Sequence, residues 1–255
     1  MLANPQGFWT LFKRETLRFI SLPNQTLIPA VLSTVLYILV FGFFLGTHVD
    51  HIEGFEYIIF IFPGLLLMAC VTASFQNATT TLFISRWQHF IEDLLVAPLS
   101  FWEVVAAFVC ASILRGVLTG ALCLLAGTFL IHSPLDHPYL LFLSLTASSA
   151  VFSAFGLIIG LWAERWDHIA IYQNYVLTPL VFLGGVFHSI SILPEGFRWV
   201  NELNPLYYMV EGVRYSLLGK TDVSFGLSLV ITVTLAFILL TLAVELFRRG
   251  YKLRT

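Results

Sequence analysis

Charge is what this chain has least of. Only 11% of its 255 residues are Asp, Glu, Lys or Arg, where a soluble domain carries roughly 25%. A soluble globule of this size leaves about a quarter of its extended-chain surface in water, and a 58% apolar chain cannot cover that surface with so few polar groups. Basic stretches are missing before the last few residues and the net charge is −2, which excludes a nucleic-acid-binding module. Cysteine is scarce as well. Cys70, Cys110 and Cys123 are odd in number, lack CxxC spacing and sit in apolar runs, which excludes a secreted disulfide scaffold and fits small apolar filler. No short apolar core followed by small residues opens the chain, so no cleavable signal peptide is expected. What remains, with a mean hydropathy of +0.87, is an integral membrane protein.

A crossing helix needs about 20 mostly apolar residues to span a core of about 30 Å. Six stretches qualify: Leu27 to Gly46, Tyr57 to Thr80, Val104 to Ile131, Tyr139 to Trp162, Ala170 to Phe187 and Phe225 to Phe247. Helices are expected because lipid offers the backbone no hydrogen-bond partners, and the ten-residue alternation of a barrel is absent. The fold expected is an all-α single transmembrane domain over 1–255: a cytoplasmic interfacial helix in 1–26, spans one to five in 27–187, an outer re-entrant hairpin in 188–222, and span six with a cytoplasmic tail in 223–255. An even number of spans puts both termini on one side. Calling that side cytoplasmic gives it Lys13, Arg14, Arg18, Arg86, Arg165, Arg248, Arg249, Lys252 and Arg254, against Arg198, Arg214 and Lys220 outside, as the positive-inside rule requires.

Three segments outside the spans carry the most information. In Gly7 to Ser21, Phe8, Phe12 and Phe19 share a helical stripe and Lys13, Arg14 and Arg18 lie off it, which suits a helix in the cytoplasmic interface or a charged flank that orients span one; Glu15 lands in the apolar stripe. Between spans two and three, Arg86, His89, Glu92 and Asp93 forbid burial in lipid, while Phe90, Ile91, Leu94 and Leu95 demand a surface. Their spacing predicts a short helix that Pro98 ends near Val96, docked on a soluble partner, on the bilayer or on its own bundle. The outer segment His188 to Asp222 is punctuated by Pro194, Gly196, Pro205 and Gly219. Its two aromatic-rich pieces, Glu195 to Asn201 and Leu206 to Leu218, are too short to cross, and Glu211 and Arg214 are spaced to pair on one face.

Most local motifs carry no chemistry. Gly219-Lys220-Thr221 imitates the end of a phosphate-binding loop, but Arg214 stands where a glycine is needed. The Asn24 and Asn77 glycosylation patterns fall in cytoplasmic and membrane positions. His48 and His51, near Asp50 and Glu53, form a flexible acidic loop for which solvation is a simpler reading than a metal site, so no metal is expected. Gly42/Gly46, Gly116/Gly120 and Gly156/Gly160 have the small-xxx-small spacing of close helix packing. The exceptional residue is Arg115, deep in span three, where a charge costs roughly 2.5–3.5 kcal/mol on insertion scales. It must face the bundle interior, a water cavity or a carboxylate, with Glu103 or a group on another helix as partner, in a structural or a cargo-related role. The rows of mid-membrane acids typical of proton-driven carriers are not present.

Six spans, an N-terminal interfacial helix and a charged helix after span two resemble the permease subunit of type-2 ATP-binding-cassette exporters. The stretch Leu177-Thr-Pro-Leu-Val-Phe-Leu-Gly-Gly-Val-Phe187 resembles the family's span-five pattern, as does its continuation through Leu193-Pro-Glu, Leu203-Asn-Pro-Leu-Tyr-Tyr and Glu211-Gly-Val-Arg214. Ile91-Glu-Asp-Leu-Leu-Val-Ala-Pro98 resembles its coupling helix. The resemblance implies a homodimer in the bacterial cytoplasmic (inner) membrane with two copies of a separate ATPase, which would bind the ATP and Mg²⁺; this chain would be no enzyme and carry no cofactor. It implies that Glu92, Asp93, Leu94 and Leu95 seat in the ATPase, braced by Glu15. It also implies a pathway between protomers, beside membrane lipid, exposing Phe41, Phe44, Phe75, Thr178 and Phe182 to an amphipathic, lipid-like, drug or oligosaccharide cargo, in the compact multidrug or lipo-oligosaccharide branch. An ion-coupled carrier and a non-transporting scaffold are the competing classes.

Overall fold

A computed structural model describes residues 4–45, 51–52, 54–188, 199 and 201–252. The side chains of residues 43–45, 51 and 95 lie outside the described part. Helices dominate: α1 (Pro5–Ile20), α2 (Pro23–Thr26), α3 (Ile28–Leu39), α4 (Tyr57–Trp87), α5 (Phe90–Val96), α6 (Phe101–Ile131), α7 (Pro138–Trp162), α8 (Trp166–Tyr172), α9 (Thr178–Phe182), α10 (Pro205–Leu218) and α11 (Phe225–Arg248). One two-residue antiparallel ladder, β1 (His51–Ile52) with β2 (Phe55–Glu56), precedes α4 and pairs Ile52 with Phe55.

Among the described residues four helices, α4, α6, α7 and α11, are long and apolar enough to cross a membrane. The central one is α4, packed by α6, α7, α10 and α3. Its neighbours approach closely because they present glycine. A Cβ on Gly156 of α7 would lie 2.7 Å from the Phe75 carbonyl oxygen, and one on Gly160 would lie 2.9 Å from that of Thr79; Gly116 of α6 faces Ser74 and Ser149. The small-residue spacing therefore serves packing inside one chain. Side chains on the outer faces remain apolar, among them Phe129, Phe142, Val230 and Phe237, as a surface solvated by lipid tails requires.

Two expected spans are not single helices. The first is divided into α3 and a wide π-type turn over Val40–Leu45, with the one-turn α2 just before it. The other, Ala170 to Phe187, is divided into α8, a π-type turn at Gln173–Leu177 and α9. Pro179 explains part of this second break. It has no N–H to give the carbonyl four residues back, and the Thr178 N–H reaches instead to Gln173 O, five residues back. Beyond α9 the chain turns through Gly185 at φ +75°.

The N-terminal segment does not stand apart from the bundle. The Asn4 N–H donates to Glu103, which also completes a capping box with Ser100 at the start of α6. Leu11 of α1 packs in one cluster with Val104 and Phe108 of α6, and the Thr26 carbonyl accepts from Arg115 at 3.2 Å. The segment thus tracks α6 from its capped end to its middle. Glu103 is thereby committed to the caps and is not the partner of Arg115.

In the segment expected on the outer side, α10 starts at an Asn204 cap and ends at Gly219 with φ +67°. It is buried among α4, α7 and α11. At 14 residues it is about 21 Å long, short of a crossing. The helical piece expected over Glu195 to Asn201 falls mostly outside the described residues, as do His48, Asp50 and Glu53.

Candidate functional site

Two adjoining cavities open along one side of α4. The smaller, about 230 Å³, lies between α4 and the α2–α3 segment, walled by Pro29, Ala30, Ser33, Thr34, Tyr37, Leu65, Met68 and Ala69. The larger, about 520 Å³, lies toward the α5 end, between α4, the end of α1 and α8, with Arg18, Asn77, Thr80, Trp166 and Gln173 on its wall. Gln25, Thr26, Gln76 and Arg115 line both. They form the junction, where α4 contributes amides because Gln76 and Asn77 sit in its mid-section.

Arg115 is buried, 7% exposed. Its guanidinium donates to Asn77 Oδ1 at 3.3 Å and to the Thr26 carbonyl at 3.2 Å, and its Nε has no hydrogen bond among the described residues. Asn77 is itself fixed, donating through Nδ2 to Ser112 Oγ at 2.9 Å. The expected alternatives of interior, water cavity or carboxylate thus resolve to a cavity wall with neutral partners. Arg18 is the second cation here. It donates to the Thr81 hydroxyl and pairs with Glu15 at 3.3 Å; burial lowers its pKa from the ordinary guanidinium value, Glu15 opposes that shift and Arg14 adds to it. Arg18, Gln25, Gln76, Asn77 and Gln173 went unselected in the sequence. Side-by-side amides within an apolar run were the signal that could have found Gln76 and Asn77.

The expected path residues do not form one wall. Phe41 packs on Phe187 with centroids 5.0 Å apart, and Phe187 on Phe182 at 5.1 Å. Phe182 is 45% exposed, and Thr178 donates to Gln173 O at 3.0 Å. The side chain of Phe44 lies outside the described residues. Phe75 requires correction. It is fully buried, 5.6 Å from the Phe155 ring of α7, because the cavity face of α4 is the one bearing Thr72, Ala73 and Gln76.

The helix after α4 has two distinct sides. Ile91 and Leu94 are buried in a cluster with Leu11, Val104, Phe108 and Phe247, and Phe90 lies under the Arg14 guanidinium at 3.6 Å. His89 enters α5 in a left-handed conformation, φ 58°, and Pro98 follows its end. Glu92, Asp93 and Pro98 are exposed, beside Val96 and Trp87. Leu94 is thus an anchor to its own bundle, not a group offered outward, and Leu95's side chain lies outside the described residues. Glu15 is corrected in the same sense: it is 1% exposed and turned toward Arg18 and Arg14. A carboxylate on the buried stripe needs those cations close by.

At the opposite end, Glu211 and Arg214 pair as their spacing foresaw. Both are buried. Glu211 also accepts from the Thr221 hydroxyl at 2.7 Å and the Asp222 N–H at 2.9 Å. Arg214 donates to the Gly185 carbonyl at 2.9 Å and lies 4.1 Å above the Phe60 ring. The pair stitches α10 to the loop after it, to the turn after α9 and to α4.

Residues 6–218 match the family model described as ABC-2 type transporter. Among curated relatives, the inner membrane transport permease YadH of Escherichia coli K12 is 35% identical over 256 residues, covering 97% of this chain and 98% of the relative. Nodulation protein J of Sinorhizobium fredii is 24% identical over 222 residues, 86% and 84% of the two chains, and that of Rhizobium meliloti 23% over 249 residues, 97% and 95%.

Proposed function

The chain belongs to the ABC-2 type transporter family, and from that premise we propose that it is the permease subunit of an ATP-driven exporter of the inner membrane. Two copies assemble with two copies of a cytoplasmic ATPase, which binds the ATP and Mg²⁺ and does the hydrolysis. The broken segments α2–α3 and α8–α9 complete six crossings, with both termini and α5 cytoplasmic. The whole chain is one transmembrane domain, residues 188–222 forming an outer re-entrant hairpin. Exposed Leu32 and Leu36 on α3, with Tyr175 and Phe182, supply apolar surface for the contact between copies. The cargo is an amphiphile, a class that takes in lipids, drugs and lipo-oligosaccharides, and Phe41, Phe182 and Thr178 stand beside its route.

The observation that carries this reading is α5. Its inner side, Ile91 and Leu94, is packed into the bundle, while Glu92 and Asp93 are exposed on a short helix that lies between α4 and α6 in the chain. A lever needs that division: one face fixed to what must move, the other free to be pushed.

The test is co-purification with the cognate ATPase. Glu92→Arg/Asp93→Arg is expected to leave the permease folded, since both groups are exposed, and to remove the ATPase from the complex. Retention of the ATPase by the double variant refutes α5 as the docking element.

A further inference from the structure

We propose that the junction of the two cavities is an anion site, with Arg115 as its anchor and Arg18 as a second cation, and that it takes the phosphate-like oxyanion head of the cargo. Arg115 stands in the middle of a membrane helix, 7% exposed, with only an amide oxygen and a peptide carbonyl as acceptors and with Nε unpartnered. A buried cation is ordinarily matched by a carboxylate. No carboxylate occurs among the described residues lining either cavity. Glu15, the nearest acid to Arg18, is itself paired with Arg18 and Arg14. Positive charge is therefore left over where two cavities meet, and a guanidinium's planar fork of donors matches an oxyanion.

The surroundings fit the rest of an amphiphile. Gln76 and Asn77 place polar groups beside the head position, while Leu65 and Met68, up to three turns further along α4, give the smaller cavity an apolar wall. This names the cargo class within the exporter reading and rests on it; the site itself is measurable without transport.

The experiment uses the full chain in neutral detergent, without ATPase or ATP, and native mass spectrometry with three probes: short-chain phosphatidic acid, diacylglycerol with the same chains, and inorganic phosphate. Charge-assisted hydrogen bonds of this kind predict phosphatidic acid bound about tenfold more tightly than diacylglycerol. Arg115→Gln abolishes that preference with diacylglycerol binding unchanged, which doubles as the control for folding, and Arg115→Lys retains part of it. Phosphate binding that depends on Arg115 shows the free anion to be sufficient; phosphatidic acid binding without phosphate binding assigns the site to an amphiphile's head. No preference in the wild type, or one that survives Arg115→Gln, overturns the proposal. ATP-driven movement of a neutral amphiphile by the full complex would leave the exporter reading standing even then.

Discussion

Arg115 on α6 donates to Asn77 on α4 at 3.3 Å, and Asn77 donates back to Ser112, one turn below Arg115 on the same helix, at 2.9 Å. The two helices are therefore joined through a neutral amide at the level where the Arg115 charge faces a cavity. Removing Arg115 strands no opposite charge but leaves the Asn77 Oδ1 acceptor without that donor, a loss of about 1–3 kcal/mol when such a group is buried. Arg115→Met is expected to lower the unfolding free energy by no more than that, while transport of an anionic amphiphile is lost. Equilibrium unfolding in mixed micelles, run beside transport, checks both. A large loss of stability would make Arg115 structural.

The Glu211–Arg214 pair behaves oppositely. Each is buried and each is the other's countercharge, so Glu211→Ala or Arg214→Ala strands a charge at a cost of about 3–5 kcal/mol. Glu211→Leu/Arg214→Met removes both and is expected to recover most of that loss in the same unfolding measurement. Single variants no worse than the double would show that the pair is not coupled.

Close packing of α7 on α4 requires glycine at position 156. Gly156→Ala puts a methyl 2.7 Å from the Phe75 carbonyl oxygen, 2.9 Å from Thr79 Oγ1 and 3.0 Å from the Ala78 Cβ, and should destabilise the bundle by about 1–3 kcal/mol, the usual cost of overpacking. Gly226→Ala, with nothing within 4 Å of the added Cβ, is the matched control and should be nearly silent. Thermal unfolding of the two variants separates them.

Anchoring of α5 is separable from docking. Ile91→Ala removes a side chain that is 2% exposed and should cost about 2–4 kcal/mol, felt first as local opening. Limited proteolysis between residues 87 and 101 is expected to accelerate in this variant and to stay at the wild-type rate in Glu92→Arg/Asp93→Arg. Equal rates in all three would mean that α5 is not held by its inner side.

The four continuous helices long enough to cross were readable because apolar run length measures suitability for lipid directly. The two broken segments were equally apolar, but hydropathy says nothing of backbone continuity, and the turn before Pro179 depends on a missing N–H rather than on composition. The extent of α5 followed from its spacing and from Pro98. Which way its apolar side faced did not, because the cluster that Ile91 and Leu94 join, with Leu11 and Phe247 among its members, is assembled from residues remote in sequence. Arg115 announced itself by its cost in lipid, yet its acceptors, Asn77 and Thr26, are 38 and 89 positions away. Phe75 was misplaced for a related reason: an apolar helix surrounded on several sides has no polar face to betray which ring meets a cavity.

The central claim is that cytoplasmic ATP hydrolysis, acting through α5, drives an amphiphile past Arg115. Its most direct measurement is movement of a fluorescent anionic lipid analogue across proteoliposomes that contain the chain with its cognate ATPase. The account predicts ATP-dependent movement in one direction that Glu92→Arg/Asp93→Arg abolishes. Movement that proceeds equally without ATP, or survives the double charge reversal undiminished, would contradict it.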